Sequence, residues 1–500
     1  MNTANQNWPR KSPLGPGSAT EVVLAASDSM GTADYKCSGN NDQFVVQQAI
    51  NVAAAAGKKL RVKAGHYKLA PQGDYILQLV DNTIMEADKG AIFQKVTDVG
   101  FTANANPNFF SSNGFAWWPL TSANYIRNVQ IYNLTIDMGT TPHLKLNAAD
   151  WGHPKGFYDY RVIRGTIKGL TLGEVTVMCP DPAVIHYVRF FLWHCSNVLL
   201  QQCSFDGIES WVFTYDPNDP WNYSKWDGDY FEVDSCVFKN GYAGMNIGGG
   251  MKHYYAHHNK LYQTNYSLPA SAIDMFMSPG GRAEYNEVYN TGNYGIYGEG
   301  GNDQVFANNY VEGARAGNDA GPVPGGWGGW GILVCDQKYK GRGTNVQIHD
   351  NHIKNCSQGI QVEGYGSRAT GDNGGPKVFN NVIEDMDLHG IVFVPRQDSG
   401  YPLATADYGL VAGNQILGFG KLPGHTSRGI MLSQVSHADV GPNAAGGANT
   451  VDGKEYTGAL EGISEVTGSS APTDNNHIHG NIVKGCKTPY MKKGLHSVFE

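Results

Sequence analysis

Five short segments share a pattern that could carry acid–base chemistry. They are Ala243-Gly244-Met245-Asn246-Ile247-Gly248, Ala272-Ile273-Asp274-Met275-Phe276, Gly295-Ile296-Tyr297-Gly298-Glu299, Gly331-Ile332-Leu333-Val334-Cys335-Asp336 and Gly359-Ile360-Gln361-Val362-Glu363. Side chains alternate along a strand, so if each Ile points inward, the residues one and three places after it point out. The outward row then holds Asn246, Asp274, Phe276, Tyr297, Glu299, Leu333, Cys335, Gln361 and Glu363, with Asp336 at the rim and Arg396 one coil further on. Asp274 and Glu299 differ by one coil and two strand positions, which predicts Cα atoms roughly 8 Å apart; Glu299 and Glu363, two coils apart in one column, should lie roughly 9–10 Å apart. Carboxyls held about 6.5–9.5 Å apart leave room for a water in a single displacement at a glycosidic carbon. Crowding by its neighbours should also help one carboxyl to keep its proton, as a general acid must. The plainer alternative is a solvated face that carries carboxylates with no chemical task.

Other side chains bear on binding. Tyr215, Trp221 and Trp226, with Trp211 and Tyr223 close by, cluster in one stretch, and Trp117, Trp118, Trp327 and Trp330 add flat apolar faces that could stack on sugar rings. The same stretch holds Asp216-Pro217-Asn218-Asp219 and Asp227-Gly228-Asp229. These oxygens could bind Ca²⁺, but the spacing is not that of an EF-hand and the composition is ordinary turn chemistry; no cofactor is assigned. His253, His257 and His258 have the look of a metal cluster, yet no cysteine or carboxylate completes it, so no metal is assigned there either.

The elements that must hold these residues are announced by a recurring asparagine. Asn259, Asn286, Asn309, Asn351, Asn381, Asn414 and Asn481 each stand two places before an aliphatic residue, at steps of about 23 to 42 residues with one double-length step. That is the repeat length of a solenoid coil with variable loops. A side-chain amide carries two donors and an acceptor, so stacked at the roughly 4.8 Å strand spacing it forms a ladder. The expectation is a parallel β-helix with these residues as an internal ladder. Cys203 and Cys236 share the register and are read as buried free thiols that extend it. Long insertions are expected at about 137–160, 216–229, 313–330, 364–376 and 436–474, with those near 216–229 and 313–330 walling a groove over the acidic row.

Composition fits a solenoid. Sixty-four glycines in 500 residues and only 16% charged residues describe many turns around an uncharged interior of short strands. A net charge of -8 argues against nucleic acid and anionic membrane as partners, and no apolar run approaches the roughly 20 residues of a membrane span. Residues 1–18 are expected to be a flexible segment without the apolar core of a signal peptide, followed by one domain over 19–500.

The start of that domain carries a resemblance. Asn41-Asp42-Gln43 leads into an alanine-rich helix that stops at Gly57, and Lys59-Leu60-Arg61-Val62-Lys63-Ala64-Gly65-His66-Tyr67 follows. This resembles the N-terminal cap of the pectate-lyase-like right-handed β-helix superfamily, and the likeness extends from about Ala19 to Met491. It implies an all-β, right-handed parallel β-helix with an N-terminal capping helix. The superfamily includes polysaccharide lyases, glycoside hydrolases, epimerases, phage tailspikes and surface adhesins. Specific signatures are missing. His389 in Leu388-His389-Gly390 resembles the Gly-His-Gly of polygalacturonases without its first glycine, and the pectate-lyase Arg-x-Pro-x-x-Arg is absent.

The reading is therefore an extracellular enzyme, monomeric or trimeric, that cleaves a polysaccharide by hydrolysis. Asp274 and Glu299 form its acid/base pair, Asp336 or Glu363 tunes them, and Asn246, Tyr297, Tyr215, Trp221, Trp226, Trp327, Trp330 and Arg396 bind substrate. One alternative is β-elimination on a uronate polymer, drawing on Arg282, Lys338, Arg396, Tyr297 or His257. Another is a glycan-binding adhesin or tailspike part that does not cut.

Overall fold

The computed structural model describes residues 21–97, 108–112, 125–139, 145–146, 157–178, 186–193, 195–206, 208–213, 228–239, 245–247, 251–262, 271–276, 278–315, 317–318, 321–322, 328–335, 344–364, 374–396, 405–454, 456–468 and 473–500. The segment 1–18 lies outside them.

Short strands wind into a solenoid with three faces. The first face pairs strands in parallel from Val22–Ala25 through Leu60–Val62, Ile84–Ala87 and Ile126–Tyr132 to Val498–Phe499. The second face holds 14 strands, from Gly65–Leu69 to Ile482–Lys484. The third is in two parts, one running from Tyr75–Leu79 to Ile208–Phe213 and a nine-stranded one running from Met245–Ile247 to Thr488–Met491. One aliphatic or aromatic side chain per coil forms a continuous interior column on the second face: Phe93, Ile136, Val177, Phe205, Phe238, Leu261, Val288 and Val311 in succession. All of them are buried. Burying each such side chain contributes about 1.5–3 kcal/mol, and the solenoid repeats that contribution along its axis instead of building a central core.

The open N-terminal end is closed by the helix Gln43–Ala55. Val46, Ala49, Ile50 and Ala53, at the spacing of one helical face, are buried, and the helix packs on Val22–Ala25 and Tyr75–Leu79. Asp42 precedes it but makes no side-chain cap. Its carboxylate instead accepts the Gly39 and Lys68 backbone N–H groups at 2.9 and 3.0 Å, which ties the helix to the first coil.

The asparagine ladder is internal and longer than expected. Each Nδ2 donates to the next Oδ1 at 2.8–2.9 Å, from Asn259 through Asn286, Asn309, Asn351, Asn381, Asn414 and Asn449 to Asn481. Asn449 fills the double-length step. The stretch 436–474 is accordingly not a plain insertion, because it contributes the coil strands Thr450–Asp452 and Ala459–Val466. The residue before each of seven rungs (His258, Tyr285, Asn308, Asp350, Asn380, Gly413 and Gly480) has φ between 54° and 66°. Asn, Asp and Gly recur there because they tolerate the left-handed region best. Cys203 and Cys236 are buried free thiols, and the Cys236 N–H donates to Asn259 Oδ1 at 2.9 Å, which carries the ladder one rung further back.

The Gly-Ile pattern has a steric cause. A Cβ on Gly390 would lie 2.5 Å from the Gly429 carbonyl oxygen, and one on Gly429 2.7 Å from that of Gly462. Coils approach so closely along this edge of the third face that only hydrogen fits.

Candidate functional site

The strands carrying the acidic row pair in the expected register. Asn246, Asp274, Tyr297, Leu333, Gln361 and Val392 form one column, and Phe276, Glu299, Cys335, Glu363 and Val394 the next. The isoleucines at 273, 296, 332, 360 and 391 are fully buried, so the two columns from Asp274 and Phe276 onward stand on the outer side of the nine-stranded sheet.

Arg396 organises this surface. Its Nη2 lies 3.8 Å from Glu299 Oε1 and its Nη1 3.5 Å from Glu363 Oε2, so one guanidinium spans two carboxylates two coils apart. Gln361 donates to Glu363 as well. The like-charge crowding expected of the stripe is thus offset at Glu299 and Glu363 by a cation. Asp274 sits deeper, at 9% exposure. The surface beside the acids is apolar: Trp330, Leu333, Cys335 and Val392 are buried against one another, with Tyr294, Tyr297, Val394 and Met431 packed on them. The rings of Tyr294 and Tyr297 stack at 5.0 Å. Trp330, expected as a stacking face for sugar, is only 5% exposed and serves instead as a support under this floor.

Electrostatics keep the neutral groups neutral. Burial, and then the nearby Cys335 and Glu299, push the Tyr297 phenol far above its ordinary range. Burial likewise raises the Cys335 thiol, 3.0 Å from the Tyr297 hydroxyl. Tyr297 is therefore a hydrogen-bonding group here and a poor base. Further along the same face, burial and Arg428 push His389 down to about 4, and its Nδ1 accepts the Arg428 backbone N–H at 3.1 Å.

Of the described residues offered for elimination, Tyr297 and Arg396 share this face. Arg282 belongs to the first face, where it pairs with Glu284 at 2.5 Å, and His257 ends a first-face strand; the solenoid wall separates both from the acidic row. Asp336, Tyr215, Trp221, Trp226, Trp327 and Lys338 lie outside the described residues, as do 216–227 and 323–327 in the two insertions expected to wall the groove. In the proposed calcium loop, Asp229 is described and its carboxylate is 2.7 Å from His253 Nδ1.

A first-face cluster escaped the sequence reading. The carboxylates missing from the histidine stretch come from the preceding coil: Asp234 Oδ1 is 3.3 Å from His257 Nδ1, and Glu232 Oε1 is 3.0 Å from His257 Nε2. The signal was available in the parallel alignment of Glu232-Val233-Asp234 beside Tyr255-Ala256-His257.

With this geometry in view, comparisons place the chain. The family model described as right handed beta helix region matches residues 188–383. No curated protein matches by sequence. Among solved structures, the tailspike protein of E. coli bacteriophage HK620, in complex with a pentasaccharide, is 14% identical and covers 92% of this chain and 77% of its own, with a TM-score of 0.55. The A-module of the mannuronan C-5 epimerase AlgE6 of Azotobacter vinelandii is 15% identical over 92% of this chain and 94% of its own, with a TM-score of 0.37. The surface adhesin PfbA of Streptococcus pneumoniae is 16% identical over 86% and 93%, with a TM-score of 0.43. At these identities the likeness is one of fold. The chain is a right-handed parallel β-helix protein.

Proposed function

We propose that the chain is an extracellular enzyme that cleaves a polysaccharide by hydrolysis, over the outer side of the nine-stranded sheet. The observation that carries the reading is Asp274, Glu299 and Glu363 gathered in adjoining columns, with Arg396 across the two glutamates, beside an apolar floor with stacked tyrosines. Asp274 and Glu299 are the acid/base pair. Asp274 is the more deeply buried of the two, and Glu299 faces Arg396. Glu363 and Gln361 hold Arg396 in place. A tailspike of the same fold binds a pentasaccharide, which supports an oligosaccharide as the kind of ligand this surface takes.

Elimination fits less well, because Tyr297 is a poor base and Arg396 is already engaged by two carboxylates. The deciding experiment incubates the protein with a panel of neutral and uronate polysaccharides and reads reducing ends and the ultraviolet absorbance of unsaturated products together. New reducing ends without unsaturated product support hydrolysis. Unsaturated product would replace it with elimination, and retention of a polysaccharide without any cleavage would leave a binding protein.

A further inference from the structure

On the opposite side of the solenoid from the acidic row, at the turn from the first to the second face, three potential ligand atoms converge. His257 Nδ1 and His258 Nδ1 are 2.9 Å apart, and Asp234 Oδ1 lies 3.3 and 4.0 Å from them. The residues come from two paired coils, with Asp234 directly across from His257. His257 is 5% exposed. Its ring stacks on Tyr255 at 4.0 Å, and that of His258 stacks on Tyr285 at 5.2 Å, so both imidazoles are fixed in orientation.

If His257 carries its proton on Nε2, it donates to Glu232 Oε1, and its Nδ1 lone pair faces both His258 Nδ1 and Asp234 Oδ1. A proton on His258 Nδ1 would satisfy that lone pair, while Asp234 Oδ1 accepts the Ser235 hydroxyl at 2.7 Å; His257 Nδ1 and Asp234 Oδ1 then still stand acceptor to acceptor at 3.3 Å. A metal ion in place of that proton would take a lone pair from all three atoms, and the Glu232–His257 contact would then be the outer carboxylate that fixes the tautomer of a metal-bound histidine. Tetrahedral ligands at Zn–N distances of 2.0–2.1 Å are about 3.3 Å from one another, which sits within the spread of the three observed separations. Asp234 is also prepared as an anion. Hydrogen bonds from Ser235 at 2.7 Å and Gln201 at 3.0 Å orient its carboxylate, and a ligand carboxyl must be deprotonated.

We propose that Asp234, His257 and His258 bind one divalent transition-metal ion of the Zn²⁺ type, with Glu232 as the positioning residue and water completing the shell. The ion fastens two neighbouring coils at a turn. It is independent of the acidic row, and its test does not depend on any activity.

The test is a Zn²⁺ titration of the full chain by calorimetry, in a background carrying His477→Gln and His479→Gln. That background silences the other cluster of this kind among the described residues, Asp439 with His477 and His479. One equivalent of Zn²⁺ should bind and raise the melting temperature. Asp234→Asn or His257→Gln should abolish both effects. Glu232→Gln, on a half-exposed side chain, should weaken binding by roughly 10–100-fold. His253→Gln, four residues away and paired with Asp229, should change nothing. Absence of binding at millimolar Zn²⁺, or binding that survives both Asp234→Asn and His257→Gln in proteins that still melt cooperatively, overturns the site.

Discussion

The coils before Asn259 and those after it solve the same turn in different ways. In both, the residue before the rung has a left-handed backbone: Asn133, Glu174, Gln202 and Ser235 early, His258, Tyr285, Asn308 and Asp350 later. The rung itself changes. Early it is Leu134, Val175, Cys203 and Cys236, all buried; later it is an amide whose Oδ1 accepts two N–H groups and whose Nδ2 reaches a neighbouring rung and a carbonyl one coil back. The thiols are an intermediate case, since Cys203 and Cys236 reach the same column of carbonyls, at Leu172 and Leu200, that Asn259 reaches at Val233. First-face strands shorten after Asn259: Ile126–Tyr132 and Ile167–Gly173 have seven residues and Lys252–His257, just before Asn259, has six, whereas Arg282–Glu284, Val305–Ala307 and Gln347–His349 have three, as does Leu60–Val62 at the capped end. A long strand fixes its register by backbone bonds; a three-residue strand needs help, and a fully satisfied amide column supplies it. The candidate acids stand on the amide-pinned coils, where a slip of one residue would turn Asp274 and Glu299 inward.

The largest effect that would sharpen this division is catalytic. Asp274→Asn and Glu299→Gln keep shape while removing proton transfer, and each should lower turnover by roughly 10²–10⁴-fold with binding retained. Glu86→Gln, on an early coil where Glu86 pairs with Lys59, should leave turnover unchanged. Steady-state kinetics on the substrate identified by the polysaccharide panel check both, and near-normal turnover in the Asp274 and Glu299 variants would discard the assignment. Next comes the close approach between late coils. Gly390→Ala puts a methyl 2.5 Å from the Gly429 carbonyl oxygen and 2.7 Å from Ile416 Cγ2. Overpacking against backbone should cost about 3 kcal/mol, the upper part of the usual range, read as a shift of the urea midpoint at constant slope.

Where the fold was legible, a periodic physical demand made it so. The rungs, the Gly-Ile edge and the outward acidic columns all repeat once per coil, and the register inferred from Ile273, Ile296, Ile332 and Ile360 is the one the sheet adopts. Asn449 was missed because Gly446-Gly447-Ala448 reads as loop, although Asn449-Thr450-Val451 and Gly462-Ile463 repeat both patterns. Two relations lie outside the repeat itself. Arg396 reaching across to Glu299 and Glu363 depends on side-chain length and aim, which no spacing encodes. The Asp234–His257–His258 group joins residues more than twenty positions apart, which become neighbours only once coils stack.

A direct contrast of rungs comes third in size. Asn351→Ala leaves the amides of Asn309 and Asn381 facing a gap from either side and should cost roughly 1–3 kcal/mol. Cys203→Ala removes a thiol with one weak donor and should cost about 1 kcal/mol, mostly lost apolar burial. Urea denaturation of the two variants measures the difference directly. Equal losses would mean that the amide column adds nothing beyond packing, and the contrast between the two halves would be cosmetic.

The smallest effect concerns pH and is confined to the late coils. His389 is held at about 4 by burial and by Arg428, against 6.5 for a free histidine. Above about pH 6.5 the imidazole is neutral in both folded and unfolded chains and contributes no pH dependence. As pH falls from there towards 4, the unfolded chain takes up the proton and the folded one does not, so stability declines through that window. Because the side chain is only partly buried, the share lost between pH 7 and pH 5 should be on the order of 1 kcal/mol. His389→Gln keeps a side chain able to accept the Arg428 N–H and cannot titrate. Urea midpoints of the parent and His389→Gln, compared at pH 7 and pH 5, should therefore diverge at the lower pH, with the variant the less acid-sensitive. Parallel declines would show that His389 titrates normally and that the floor beside Arg428 is wetter than its packing implies.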